Sequence, residues 1–350
     1  MRYPEFLPDY GTLGFVAPSF GCNIEPYTTQ FEYALSTFEQ LGYYSCTGLN
    51  VFEGKGIGIS NVPEACAQEL TQYYCDDQSD VLISAGGGEL MCEILDDVDW
   101  DAVRAAKPKW YMGYSDNTNF TFLLNTLCDV AAIYGPCVGS FGMTVWHESI
   151  QDAWDLLKGK KLTMTGYDRY ETEGFRSEED PLAGYNLTHD RKITIFIPDG
   201  NGGLKEAGDT EVSFSGRLVG GCLDCLDNLI GTKFDRVSDF NARYESDGII
   251  WFLEACDLNV FSIRRAIWQM IHAGWFEHVK GFLIGRPMNG EEMINLDHFH
   301  AVTDLLAQFE VPVMMDLDIG HVPPRMPLIS GAMADVKAAG QDMSVTFRLD

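Results

Sequence analysis

Three side chains in this sequence are of the types that nucleophilic acyl transfer requires: Ser115, Glu254 and His321. A serine hydroxyl is a weak nucleophile until an imidazole takes its proton. A carboxylate then fixes the tautomer of that imidazole and stabilises its cation. Each of the three follows an apolar run: Trp110-Tyr-Met-Gly113 leads into Tyr114-Ser115-Asp116, Gly248-Ile-Ile-Trp-Phe-Leu ends in Glu254, and Val311 to Met315 precedes Asp318-Ile-Gly-His321. Each also has a plainer reading. Ser115 suits the N-cap of a helix over Thr118 to Leu127, Glu254 could cap the helix after it, and His321 could be a turn residue braced by Pro323 and Pro324. The surroundings of Ser115 are not G-x-S-x-G, since Asp116 and Asn117 stand where the second glycine would lie. Residue types alone leave both readings open.

The elements that must hold these residues are legible as periodicities. Gly14 to Pro18, Tyr43 to Val51 and Val81 to Ser84 read as short buried strands, and Phe31 to Leu41 and Pro63 to Tyr74 as helices, with Asn61 as a candidate cap for the second. Strands alternating with helices predict a doubly wound, mostly parallel α/β sheet, whose ligands bind beyond the carboxyl ends of the strands. Gly86 to Gly88 and Ser115 both fall at that edge. In the second half, Val212 to Val219, Gly248 to Glu254, Val279 to Ile284 and Val311 to Met315 read as strands, and Phe261 to Ala273 as a helix. Between the halves, residues 147–210 are polar and aromatic, with Trp154, Tyr167, Tyr170, Phe175 and Tyr185, and end in the turn-rich Pro198-Asp-Gly-Asn-Gly-Gly203. This stretch is expected to be a connector or lid. The organisation expected is therefore an N-terminal α/β domain over 1–146, a connector over 147–210 and a C-terminal domain over 211–350.

Composition narrows the partners. With 24 basic against 52 acidic side chains the net charge is −28, which argues against nucleic acid and anionic membrane surfaces, both of which attract positive patches. No run approaches the roughly 18 apolar residues of a membrane span, and Met1-Arg2-Tyr3-Pro4-Glu5 is not a charged-then-apolar leader, so a cytoplasmic location is expected. Ten cysteines in such a chain read as free thiols. Cys222-Leu-Asp-Cys225 lacks the second pair or the histidines of a zinc site, and His298 and His300 stand apart from other ligands; neither a metal nor a cofactor is expected.

Six segments spread in order along the chain carry a resemblance: Val16-Ala-Pro-Ser19, Gly86-Gly87, Gly113-Tyr-Ser-Asp116, Gly216-Arg-Leu-Val-Gly-Gly221 with Gly231-Thr232, Phe252-Leu-Glu254 and Gly320-His321. In these the chain resembles the serine peptidase family of LD-carboxypeptidase (the murein tetrapeptide carboxypeptidase) and the microcin C immunity peptidase. The resemblance implies Ser115 as nucleophile, Glu254 as carboxylate, His321 as base, and the N–H groups of Asp116 and Gly87 as oxyanion hole. It also implies a swivelling, mixed and β-rich C-terminal domain, a homodimer, and a small substrate. That substrate is a murein-type peptide with an L-to-D linkage or, in the microcin branch, a peptidyl- or aminoacyl-nucleotide. A third reading, of another class, is a binding protein that keeps the fold without turnover.

The chain departs from the murein enzymes in two places. They usually carry an Arg before the Gly-Gly pair and a Tyr after it, where Ala85 and Gly88 stand here, and their connector is shorter. Both features are similar to the microcin branch, in which insert aromatics stack on a nucleotide; Tyr167, Tyr170, Phe175 or Tyr185 would serve here. For a substrate carboxylate, Arg217, Arg264 and Arg286 are the candidates.

Overall fold

The computed structural model describes residues 1–349. Two sheets organise the chain. The first has six strands in the spatial order Leu328–Ser330, Ala132–Tyr134, Trp110–Gly113, Val81–Ser84, Thr12–Val16, Tyr44–Thr47. All neighbours run parallel except the outermost Leu328–Ser330, which pairs antiparallel with Ala132–Tyr134. Successive residues of a strand face opposite sides of a sheet, and the cores follow that rule. Phe15, Ile83 and Met112 pack with Phe31 and Phe38 of helix Tyr27–Gln40. Val16, Leu82 and Tyr111 pack with Leu70 of helix Pro63–Cys75 and Phe120 of helix Thr118–Thr126. The sheet is therefore doubly wound, as its strand–helix alternation predicts.

The second sheet has nine strands, in the order Leu204–Glu206, Thr194–Pro198, Val313–Leu317, Val279–Gly285, Ile249–Glu254, Val212–Cys222, Met333–Ala339, Asp342–Arg348, Thr163–Thr165. Its four central strands are parallel and its flanks antiparallel. One face joins the core of the first sheet through Leu218, Ile250, Phe252, Leu283 and Met314. The other packs under helices Leu223–Leu229, Val260–His272 and His298–Leu306.

Several expectations need amendment. Residues 147–210 do more than connect: Thr163–Thr165, Thr194–Pro198 and Leu204–Glu206 are strands of the second sheet. In return, Leu328–Ser330 from the last part of the chain completes the first. Asn61 does not cap the helix at Pro63, because its Oδ1 accepts the N–H of Val62, its immediate neighbour, at 2.9 Å. The hairpin of Met333–Ala339 with Asp342–Arg348 escaped the sequence reading, since its apolar residues alternate singly and form no continuous run.

Helix Thr118–Thr126 is the mechanical link between the sheets. It is buried along its whole length, with Phe120 in the core of the first sheet and Phe122 against the second. The Phe122 ring stacks on Trp275 at 5.4 Å and 20°, and Trp275 stacks on Trp251 at 5.8 Å. Truncation would leave a cavity beside the two stacked indoles. Phe122→Ala is expected to cost about 3–5 kcal/mol of unfolding free energy, measurable by urea denaturation. A loss below about 1 kcal/mol would mean that the stack does not join the sheets.

Candidate active site

The carboxyl ends of both sets of parallel strands converge on one cleft. Trp110–Gly113 delivers Ser115, Ala132–Tyr134 delivers Tyr134, Ile249–Glu254 delivers Glu254, and the turn after Val313–Leu317 delivers His321. His321 Nε2 lies 2.8 Å from Ser115 Oγ, and His321 Nδ1 lies 2.8 Å from Glu254 Oε2. Glu254, 1% exposed, also accepts the Tyr134 hydroxyl on Oε1 at 2.5 Å. That hydroxyl in turn accepts the Ser115 N–H at 3.2 Å. With Nδ1–H donated to the carboxylate, Nε2 keeps its lone pair for the serine proton. Sequence reading did not find Tyr134; it ends a short buried strand and carries no motif.

Local backbone explains how these groups are presented. Ser115 adopts φ +65°, the left-handed region, at a sharp strand-to-helix turn that lifts its Oγ toward the imidazole. It does not cap the helix: no side-chain cap bond is made at the start of Thr118–Thr126. Gly320 (φ +100°) lets the chain pass directly over Glu254; a Cβ there would collide with the carboxylate. Gly87 lies so close to Ser115 that a Cβ there would be 3.1 Å from Ser115 Oγ. Its N–H has no hydrogen-bond acceptor among the described residues. Asn117 pins this glycine loop, donating Nδ2 to Gly86 O at 2.9 Å and to Tyr114 O at 3.0 Å, while its Oδ1 accepts from the Tyr111 hydroxyl.

The Asp116 side chain is structural. It accepts from Ser19 Oγ at 2.5 Å, Met91 N–H at 2.9 Å and Asn119 Nδ2 at 3.0 Å. Burial pushes its carboxyl up, and these hydrogen bonds offset part of that. The flank beside Cys222 is acidic: Glu89 is pushed up by burial first and then by the charges of Asp257, Asp116 and Asp224.

The cysteines are all free; Cys22, Cys66, Cys128, Cys137, Cys222 and Cys225 are buried. Ligand atoms of Cys222, Glu254 and His321 come within 4.8 Å of one another, a donor set with metal-binding chemistry. Here Glu254 and His321 are already bonded to each other, and a cation on Nε2 would take the lone pair that faces Ser115. The three arginines considered for a substrate carboxylate are engaged elsewhere. Arg217 holds Asp247 and Gly331 O, Arg264 holds Asp304 and His300 O, and Arg286 holds Asp318 while covering the Tyr170 ring at 4.0 Å. Of the insert aromatics, Tyr167 is buried with its hydroxyl on Asp152, whereas Phe175 is 61% exposed.

A cleft of about 560 Å³ opens beside the Ser115 turn, lined by Phe20, Cys22, Tyr27, Glu53, Gly86, Gly87 and Tyr114 among others. It is large enough for a small ligand.

Comparison with known proteins gives the family. The family model of the LD-carboxypeptidase N-terminal domain matches residues 13–135, and that of its C-terminal domain matches residues 215–336. The chain belongs to the LD-carboxypeptidase family. It is a serine peptidase of that family. Among relatives, a probable murein peptide carboxypeptidase of Bacillus subtilis is 24% identical, over 96% of this chain and 92% of its own length. A microcin C7 self-immunity protein of Escherichia coli is 21% identical, over 80% and 77%. Among solved structures, a microcin C7 self-immunity protein in complex with adenosine monophosphate superposes with a TM-score of 0.81 at 19% identity, covering 99% of both chains. The muramoyltetrapeptide carboxypeptidase from Oxalobacter formigenes gives 0.69 at 15%, covering 96% and 98%. These likenesses establish the two-domain α/β fold. No helix among the described residues is long and apolar enough to cross a membrane.

Two predictions test the local physics. A non-glycine residue in the left-handed region costs about 1–2 kcal/mol, so Ser115→Gly should be about 1 kcal/mol more stable than Ser115→Ala in urea denaturation. Equal stability would show that the turn is unstrained. Asp227, on the helix that follows Cys222, has a buried Oδ1 with no partner among the described residues, and burial together with Asp224 raises its pKa from 3.8 to about 6. The folded state then binds this proton more tightly than the unfolded chain does. Its contribution is favourable at low pH and is lost as pH rises from about 4 through about 6. Asp227→Asn should therefore raise Tm at pH 7 and leave it nearly unchanged at pH 4; the same gain at both would refute the assignment.

Proposed function

We propose that this protein cleaves the L-to-D peptide bond of a murein-type peptide through an acyl-enzyme, with Ser115 as nucleophile, His321 as general base and acid, and Glu254 as its orienting carboxylate. The observation that carries the proposal is the continuous hydrogen-bond relay from Ser115 Oγ through the imidazole to a buried carboxylate at the edge of a cleft. His321 Nε2 takes the serine proton as Oγ attacks the carbonyl carbon. The N–H groups of Gly87 and Asp116 receive the oxyanion, where preorganised donors act most strongly on developing charge. His321 then gives the proton to the leaving amine, and water, deprotonated by the same nitrogen, releases the acyl group. Tyr134 joins the backbone of the nucleophile to Glu254 and holds the two ends of the relay at one distance.

The proposal divides the labour among the segments of the chain. Residues 1–146 supply the nucleophile and oxyanion donors, 147–210 contribute strands to the second sheet, and 211–350 supply Glu254 and His321. A homodimer working in the cytoplasm on recycled peptidoglycan belongs to the same proposal. The likeness to a probable murein peptide carboxypeptidase over 96% of the chain supports it.

A second reading is hydrolysis of peptidyl- or aminoacyl-nucleotides. It is supported by the exposed Phe175 in the insert, which could stack on a base, and by the relative named as a microcin C7 self-immunity protein.

The test is release of free D-alanine from a murein tetrapeptide by the wild type beside Ser115→Ala. Turnover by the wild type should fall by roughly four orders of magnitude or more in the variant. Near-normal turnover by Ser115→Ala would sink the triad. No release by the wild type, with Ser115 still labelled by a fluorophosphonate, would transfer the assignment to the nucleotide substrates.

A further inference from the structure

An arginine that sequence reading did not single out stands against the relay. Arg325 donates Nε to Gly320 O at 2.8 Å and Nη2 to His321 O at 3.2 Å, so the backbone of the general base itself anchors the guanidinium. Its Cζ lies 4.3 Å from the centre of the Tyr114 ring, which lines the cleft and packs 5.1 Å from the His321 ring. Nη1 has no partner among the described residues.

A second arginine comes from the insert. Arg176 donates to Ala183 O, Gly139 O and Ser140 O, and like Arg325 it meets carbonyl oxygens and no carboxylate among the described residues. The two guanidinium charges are near enough to oppose each other: after burial, which acts first, the charge of Arg325 further lowers the Arg176 pKa. Tyr185 influences both arginines, and its hydroxyl is buried without a hydrogen-bond partner among the described residues. Two cations with no ion-paired carboxylate among the described residues, which Glu171 and Glu254 reach only by longer-range charge, and an orphaned buried hydroxyl are costly to assemble. An anion completes such a site.

The relay fixes which anion. The leaving amine must lie against His321 Nε2 to receive its proton. In a C-terminal amino acid the carboxylate is separated from that amine by a single carbon, so it falls on the flank of the imidazole, where Arg325 lies. We propose that Arg325, with Arg176 and the Tyr185 hydroxyl behind it, grips the free carboxylate of the leaving amino acid and makes the enzyme specific for chain ends. This rests on the peptidase reading of the same site.

The experiment is protection of Ser115 from fluorophosphonate labelling in the full-length protein, comparing N-acetyl-D-alanine with its carboxamide. In the wild type the acid should protect at roughly 10- to 100-fold lower concentration than the amide, the range expected for charge-assisted hydrogen bonds. Arg325→Met should bring the two within about threefold, and Arg325→Lys should restore part of the difference. Arg176→Met should weaken it without abolishing it, which serves as the test if Arg325→Met fails to fold. Equal protection by acid and amide in the wild type overturns the proposal, as does an undiminished preference in a folded Arg325→Met. Protection by adenosine monophosphate and not by the acid overturns the carboxylate in favour of a phosphate. The peptidase reading fails separately: calorimetric binding of N-acetyl-D-alanine to a protein whose Ser115 does not label would leave the anion site standing without it.

Discussion

The site depends on one buried carboxylate receiving hydrogen bonds from two sheets at once. Glu254 stands in the second sheet, takes the Tyr134 hydroxyl from the first on one oxygen, and holds His321 on the other. A carboxylate removed from water is tolerable only when its lone pairs are met. Folding therefore satisfies Glu254 only if the sheets dock with the ends of Ala132–Tyr134 and Ile249–Glu254 facing each other. The geometry that relieves the carboxylate is the geometry that brings Nε2 to Ser115. Stability and alignment of the relay are thus demanded by the same contacts, and the Cys222 N–H to Thr118 Oγ1 bond and the Phe122 stack add to the docking without touching the relay.

Charges of opposite sign stand around that relay. On the Tyr114 side lie Arg325 and, beyond it, Arg176; on the Cys222 side lie Glu89, Asp224 and Asp257. In a chain of net charge −28, two neighbouring arginines without an ion-paired carboxylate are not a by-product of composition.

What could be read from the sequence follows from how local each signal is. The doubly wound sheet was legible because Val81–Ser84 and its neighbours are short apolar runs separated by amphipathic helices, and Ser115, Glu254 and His321 were legible because each stands at the end of such a run. Tyr134, Asn117 and Arg325 were not. Tyr134 meets Glu254 at a separation of 120 residues, a distance no periodicity encodes. Asn117 and Arg325 bond largely to near neighbours, and what gives them a role is the Gly86 carbonyl and the Tyr114 ring that the fold brings against them. The strands from 147–210 were missed because they are short pieces at or next to the sheet edges, within a polar, turn-rich stretch. Leu328–Ser330 is only three residues long, and its place is decided by a sheet formed in the other half of the chain.

That last strand has a consequence for how the molecule comes into being. Ser330 donates its hydroxyl to Asn125 Oδ1 across 205 residues, and its strand covers the open edge of Ala132–Tyr134. At ribosomal rates of roughly 5–20 residues per second, the nascent first sheet waits on the order of 10–40 s before its edge is closed. Throughout that interval an unpaired strand end, a template for pairing with other chains, is exposed to the crowd around the ribosome. The early half of the protein is thus born incomplete, and its protection is made last.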